Sequence, residues 1–307
     1  MERRRLGSSA LDVSRLSLGS WRTFERIGRE QGLAVMRAAR EHGINFLDDA
    51  RYNDETGTAP IPTGYSEVLF GELFRAAGWE RSDTIVSNKL WWEFWPREDA
   101  AAELDGSLAR MGFEYVDLIY ANPPPDDLAV PDMVAAVGEL VSSGKARAWA
   151  IVNWEAAPLL EASRAASDLG VPQPCAAQLP YSLVRRDWVE SAQMAAALEA
   201  SGAGVVASFV MAGGVLTGKY ESGAAGRAAG QLDEPQYAAA VDWGRRLGAV
   251  AEEVGVSAAA LAVAFALRNP AVTSVLFGAT SPSQIAANVA ALDVVPDVLE
   301  RLDSLVS

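Results

Sequence analysis

Eight short apolar runs, each separated from the next by a longer stretch, set the strongest limit on what this chain folds into. The runs are 16–19 (LSLG), 44–48 (INFLD), 84–89 (TIVSNK), 116–121 (VDLIYA), 146–152 (ARAWAIV), 175–179 (CAAQL), 204–209 (GVVASF) and 273–278 (TSVLFG). Between them lie helical patterns such as 31–43, 99–112 and 132–144, each ending at a glycine, a common helix stop. Strands that alternate with helices in this way build parallel sheets, and eight of them predict a closed barrel rather than an open sheet. A chain of 307 residues suits one such barrel, and no shift in composition marks a second domain within 1–307. Further helical material at 234–254 and 296–305 is expected to pack outside it.

Composition narrows the function classes. The formal net charge is −14, and a surface of that sign repels nucleic-acid phosphates. No run approaches the roughly 18 uninterrupted apolar residues of a membrane helix, and the N-terminal MERRRLGSSALDVS lacks the apolar core of a secretory signal. The one cysteine, Cys175, forms no internal disulfide and suits a reducing cytoplasm; it reads as a small buried hydrophobe. The one histidine, His42, stands before Gly43 and is expected to cap a helix C-terminus; no cysteine or histidine offers metal-ligand spacing.

On a barrel, chemistry collects where strands end and loops begin. Asp48 and Asp49 follow the second run, Lys89 ends the third and Asn122 follows the fourth, just before the proline-rich 123–127 (PPPDD). Asn153 follows the fifth run and Gln178 lies on the sixth. A carboxylate paired with a lysine keeps that lysine charged, and the charge lowers the pKa of a nearby phenol. A phenol so tuned donates a proton to a carbonyl oxygen, and Tyr52 is the nearest in sequence. The longest loops, about 49–65 and 218–235, both follow strands, so they belong at the same barrel mouth. The aromatic run 91–95 (WWEFW) is expected to line a pocket there, with Trp91 and Trp92 favouring an apolar or aromatic carbonyl.

From end to end the chain resembles the aldo-keto reductase superfamily. The matching segments are 4–21 (RRLGSSALDVSRLSLGSW), 43–50 (GINFLDDA), 66–74 (SEVLFGELF), 115–122 (YVDLIYAN), 214–220 (GVLTGKY) and 278–292 (GATSPSQIAANVAAL). Within it, 87–95 (SNKLWWEFW) and 115–126 (YVDLIYANPPPD) are most similar to the branch containing potassium-channel β subunits. The resemblance implies a (β/α)8 TIM barrel with an N-terminal β-hairpin and extra C-terminal helices. It also implies a tetrad of Asp48, Tyr52, Lys89 and Asn122, with asparagine in place of the superfamily's usual histidine, as in that branch. Tyr52 would be the proton donor, Asp48 and Lys89 would tune it, and Asn122 would hydrogen-bond the carbonyl oxygen. The family motif Asp-Thr-Ala-x-x-Tyr is one residue shorter here, as 48–52 (DDARY), so Tyr65 stays open as a second candidate donor and Asp49 as a second candidate acid; Tyr52 and Asp48 are preferred.

The implied cofactor is NADPH, with NADH left open. Asn153 and Gln178 match positions that bind the nicotinamide carboxamide, and Gly19, Ser20 and Trp21 match the segment lining the ring. Gly218, Lys219 and Arg227 sit where a loop folds over the phosphates, Arg227 being the local candidate for the 2′-phosphate; Gly278, Thr280, Gln284 and Asn288 match the adenosine end. Three positions depart from the pattern. Val152 replaces a serine, Ala287 replaces a glutamate, and Ser208 stands where an aromatic ring stacks on the nicotinamide, unless the strand shifts to bring Phe209 there.

The expected function is NADPH-dependent reduction of an aldehyde or ketone, with a small carbonyl compound as the partner and neither nucleic acid nor membrane. The alternative is an NADP(H)-binding sensor or regulatory subunit with little turnover, and a third is non-redox chemistry on the same barrel. Related proteins include monomers, dimers and tetramers, so a homo-oligomer remains compatible with the resemblance.

Overall fold

The sequence alternates because every barrel strand is buried on both faces, one by the barrel interior and one by the surrounding helices. In the computed structural model, which describes residues 1–222, 228, 230, 232 and 234–306, a hairpin of β1 (Arg3–Arg5) and β2 (Asp12–Ser14) precedes the barrel strands. These are β3 (Leu16–Gly19), β4 (Phe46–Asp48), β5 (Ile85–Leu90), β6 (Val116–Ala121), β7 (Ala146–Val152), β8 (Ala176–Pro180), β9 (Gly204–Ser208) and β10 (Val272–Phe277). All eight are parallel neighbours in sequence order, and β10 returns to β3 to close the ring. Every expected run is one of these strands, with ends displaced by two residues at most.

Alternation along each strand sorts the side chains into two cores. Phe46, Leu118, Tyr120, Ala150 and Val206 point inward and share one buried cluster with Leu6, Leu11 and Val13 of the hairpin, which therefore plugs the barrel floor. Leu47, Val86, Ile119, Ile151 and Val205 point outward into the larger cluster beneath the helices. The hairpin fits only because Gly7 has no side chain: a Cβ there would meet the Cys175 carbonyl oxygen at 1.9 Å, and its φ of +50° is left-handed.

Side chains or left-handed glycines mark several of the helix ends. Asp99 accepts from the Ala102 N–H at the start of Ala100–Met111, and Gly112, in left-handed conformation, ends it. His42 is the C-terminal cap of Arg29–Glu41. The two extra helices are Pro235–Val254 and Pro296–Val306. Among the described residues no single helix is long and apolar enough to cross a membrane.

Candidate active site

Strand register decides which polar residues meet at the C-terminal mouth of the barrel. Asp48 is the last residue of β4 and pairs in register with Ser87, while Lys89 lies two residues further along β5, on the same inner face. Asp48 Oδ2 is 2.5 Å from Lys89 Nζ, and Asp48 Oδ1 accepts the Ser87 hydroxyl at 2.7 Å. Both members of this ion pair are nearly sealed from solvent, at 2 % and 4 % exposure, and a pair buried so deeply persists only when its remaining atoms are also satisfied. Lys89 Nζ then lies 3.5 Å from the Tyr52 hydroxyl and 5.6 Å above the ring of Tyr120. A contact of 3.5 Å is long, as catalytic hydrogen bonds often are before substrate binds. Tyr120 itself is fully buried and its hydroxyl has no hydrogen-bond partner among the described residues; burial first, then the Asp48 charge, pushes its pKa well up.

Of the two candidate tyrosines, Tyr52 is the one Lys89 reaches. Tyr65 starts the helix Tyr65–Ala76 and packs against the outer cluster. Of the two aspartates, Asp49 points the other way. It is fully buried, its Oδ1 accepts the Ser20 hydroxyl, and its Oδ2 has no partner among the described residues. Burial is the largest cause raising its pKa well above the carboxylate range, followed by the facing Glu67, with Asp48 adding a little. Through its bond with Ser20, Asp49 ties the segment after β3 to the end of β4. Glu67, also fully buried, is held by Asn88 at 2.8 Å and Arg110 at 2.5 Å.

Asn122 lies at the mouth with its Nδ2 donating to the Leu90 carbonyl at 3.0 Å and its own carbonyl accepting from Trp92 Nε1 at 3.0 Å. One amide hydrogen is thus committed, and a second remains as a donor. Trp92, only 5 % exposed, braces Asn122 from below, whereas Trp91 is half-buried with its ring edge-on to Tyr52 at 5.9 Å. Of the two tryptophans expected in the pocket, Trp91 adjoins the phenol and Trp92 belongs to its support.

The 49–65 loop is ordered by its own side chains. Asn53 and Thr63 pair across it, and Asp54 accepts from Thr56 N, Thr56 Oγ1 and Ala59 N, bonds that draw its pKa down. Glu55 pairs with Arg22 at 2.6 Å and Arg26 at 2.8 Å, and Asn53 bonds Glu93, so the loop lies across the mouth between the segment after β3 and the tryptophan loop.

Arg51, which the sequence reading passed over, joins these parts. Its side chain is 3 % exposed, bonds Glu98 and Glu103 at 3.0 Å each, and lies 4.7 Å from the Phe94 ring. Glu103 also accepts the backbone N–H groups of Trp91 at 2.9 Å and Trp92 at 3.2 Å. Burial, its largest influence, raises the Glu103 pKa, while Trp91, Arg51 and Trp92 offset part of that. A signal for Glu103 was present: helical spacing sets it on the apolar face of Ala100–Met111 with Leu104, Ser107 and Met111. Arg51 carried no such signal.

The residues expected to hold the nucleotide are spread around the same mouth. Gln178 is 7 % exposed on the inner face of β8, and its Oε1 is a buried acceptor without a partner among the described residues, which fits the N–H donors of a nicotinamide carboxamide. Asn153 adjoins it, with φ of +58° and its N–H on the Gln178 carbonyl, while the buried Val152 offers no polar group. Ser20 donates its N–H to the Asp48 carbonyl, between Gly19 and a half-buried Trp21. The β8–β9 register stays regular through Ser208, the last residue of β9; Phe209 follows at φ +58°, its ring packed toward the outer cluster, 5.6 Å from Arg185.

At the far end of the mouth, Gly218 closes a turn at φ +71° and Lys219 lies 4.9 Å from the Tyr220 ring. Arg227 lies outside the described residues. Gly278 follows β10, the exposed Gln284 folds back to accept from Thr280 N at 2.7 Å, Ser281 caps the helix Pro282–Val289, and Asn288 is buried at its end.

A parallel eight-stranded barrel with a buried acid–lysine pair and a phenol at its C-terminal mouth defines a class of protein, and comparison supplies the family. The aldo/keto reductase family model matches residues 15–307. A probable voltage-gated potassium channel subunit beta from Oryza sativa subsp. japonica is 34% identical, the match covering 100% of this chain and 97% of that protein. One of the same description from Arabidopsis thaliana is 31% identical, over 100% of this chain and 97% of that protein. The chain belongs to the aldo/keto reductase family, whose members generally bind NADP(H) and reduce small carbonyl compounds.

Proposed function

We propose that the protein is an NADPH-dependent reductase of an aldehyde or ketone, and the observation that carries this is the continuous line from Asp48 through Lys89 to the Tyr52 hydroxyl. Bound NADPH would supply the hydride for the carbonyl carbon. Tyr52 donates its proton to the carbonyl oxygen as the C=O π pair moves onto it, and Lys89 stabilises the phenolate left behind. Asp48 holds the Lys89 amine in place inside the barrel. The second amide hydrogen of Asn122 bonds the carbonyl oxygen; an amide donates but does not relay a proton at neutral pH, so turnover is slower than a histidine would allow. Gln178 takes the carboxamide, and Trp21 and Trp91 flank a mouth suited to apolar or aromatic carbonyls. The buried Cys175, its thiol pushed up to about 12 mainly by burial, fits a reducing compartment such as the cytoplasm.

A second reading is an NADP(H)-binding regulatory subunit with little turnover. It draws on the description of the two plant relatives as probable channel subunits and on Val152, Ser208 and Asn122. Titration with NADPH, followed by tryptophan fluorescence, and then a carbonyl screen separate the readings. Saturable binding with turnover that disappears in Tyr52→Phe supports the reductase. Binding with no turnover on any carbonyl supports the subunit, and absence of binding removes both.

A further inference from the structure

We propose that Arg51 is a positioning residue for the proton donor, and that its clamp on Glu103 is what allows the shortened 48–52 motif to deliver Tyr52 to Lys89. The inference rests on the reductase reading of the site. With one residue fewer between acid and phenol, the chain has less length in which to turn from the end of β4 back over the barrel mouth. The turn is built tightly instead. Tyr52 N–H bonds the Ala50 carbonyl at 2.9 Å, the Ser66 hydroxyl holds the same carbonyl at 2.8 Å, and Gly64 N–H holds the Tyr52 carbonyl at 2.8 Å. These bonds fix the backbone on the side facing the helix Tyr65–Ala76. Arg51 fixes it on the other side.

Its guanidinium reaches Glu98 and Glu103 with separate nitrogens and lies over Phe94, so it is held against a helix, a loop and a ring at once. Glu103 transmits that position, because one of its oxygens binds both Arg51 and the Trp91 N–H and the other binds the Trp92 N–H. Tyr52 and Trp91, whose rings meet edge-on, are therefore set by one shared carboxylate. Trp92 carries the same frame to Asn122 through its indole N–H. Three of the groups assigned to the carbonyl oxygen and its pocket, Tyr52, Trp91 and Asn122, thus depend on a buried pair that touches no reacting atom.

The test uses the full-length protein with NADPH and 4-nitrobenzaldehyde as a probe carbonyl. Arg51→Met is expected to lower kcat by roughly 100-fold, the scale of a displacement of about 1 Å at a reacting group. NADPH affinity should stay within about twofold, because no cofactor-binding residue is attached to the clamp. Guanidinium ion at millimolar concentration should restore part of the kcat of Arg51→Ala, a response that a general loss of stability does not give. Should Arg51→Met not fold, Glu103→Gln keeps the volume and an acceptor for Trp91 while removing the ion pair, and is expected to show the same separation of kcat from nucleotide affinity. Unchanged kcat would overturn the proposal, as would a fall in kcat matched by an equal fall in NADPH affinity without guanidinium rescue. A wild-type protein that binds NADPH but turns nothing over counts against the reductase reading alone. In that event a crystal structure of the variant decides: Tyr52 moved beyond hydrogen-bond reach of Lys89 upholds the positioning role, and Tyr52 unmoved overturns it.

Discussion

Lys89 and Asp48 meet at 2.5 Å inside the barrel, from neighbouring strands, with almost no solvent between them. Removing one partner strands the other charge in the interior. Lys89→Met is expected to destabilise the fold by about 3–5 kcal/mol, and Asp48→Leu combined with Lys89→Met by clearly less than the two single changes summed. Urea unfolding of the three variants gives the comparison; additive losses would show that the pair does not act as a unit.

Tyr52→Phe should abolish carbonyl reduction while leaving NADPH binding within about twofold, since the hydroxyl removed faces Lys89 rather than the carboxamide site at Gln178. Tyr65→Phe, on the outer cluster, should retain most of the activity. Steady-state kinetics on both variants beside a fluorescence titration tests this, and the reverse ranking would reassign the donor.

Burial raises the Asp49 pKa in the folded protein, whereas unfolded it ionises near the usual carboxylate pKa. Its folded-state pKa is raised, so whatever stability it contributes is full below about pH 4 and declines as pH rises towards the folded value, by up to about 1.4 kcal/mol per unit. Asp49→Asn removes the ionisable proton and keeps the shape. Its urea midpoint should exceed that of the wild type by a margin that widens from pH 5 to pH 8. Glu67 and Asp48, the other carboxylates acting on Asp49, are unaltered in the comparison. A margin independent of pH would mean that Asp49 is ionised in the folded state.

Gln178→Leu separates binding from stability. The Oε1 atom is buried without a partner among the described residues, so its loss should leave stability unchanged or raise it by about 1 kcal/mol. NADPH affinity should fall by roughly a few-fold to tenfold, the value of one hydrogen bond. Thermal unfolding with and without nucleotide reads both effects, and equal affinity would place the carboxamide elsewhere.

Glu55→Ala should change stability by less than about 1 kcal/mol, because its bridges to Arg22 and Arg26 are half-exposed. The loop it fastens should open more often. Hydrogen exchange at Ala59 and Thr56 is expected to quicken while that of the barrel strands holds, and unchanged exchange would show that the loop is secured by Asp54 alone.

The elements most legible in the sequence were those set by local chemistry. Runs such as VDLIYA are apolar at successive positions because both faces are covered, and that pattern survives in one dimension. The strand tips followed from it, and with them the placing of Asp48, Lys89, Asn122 and Gln178 at one mouth. The length of the 49–65 loop was legible too, but not its internal order, which depends on Asp54 choosing Thr56 and Ala59 as partners.

What the chain determined by itself was the barrel and the rim on which its polar residues stand, since period, burial and helix stops are properties of neighbours in sequence. Tertiary structure alone decided which of two adjacent aspartates meets the lysine and which is buried apart from it. The pleat turns Asp48 inward to Lys89 and leaves Asp49 against Ser20 and Glu67. It decided likewise that Arg51, 52 residues from Glu103 in the chain, would hold the phenol beside it. Two buried charges find each other only once the helices and strands carrying them have packed, and no spacing in the sequence records that encounter.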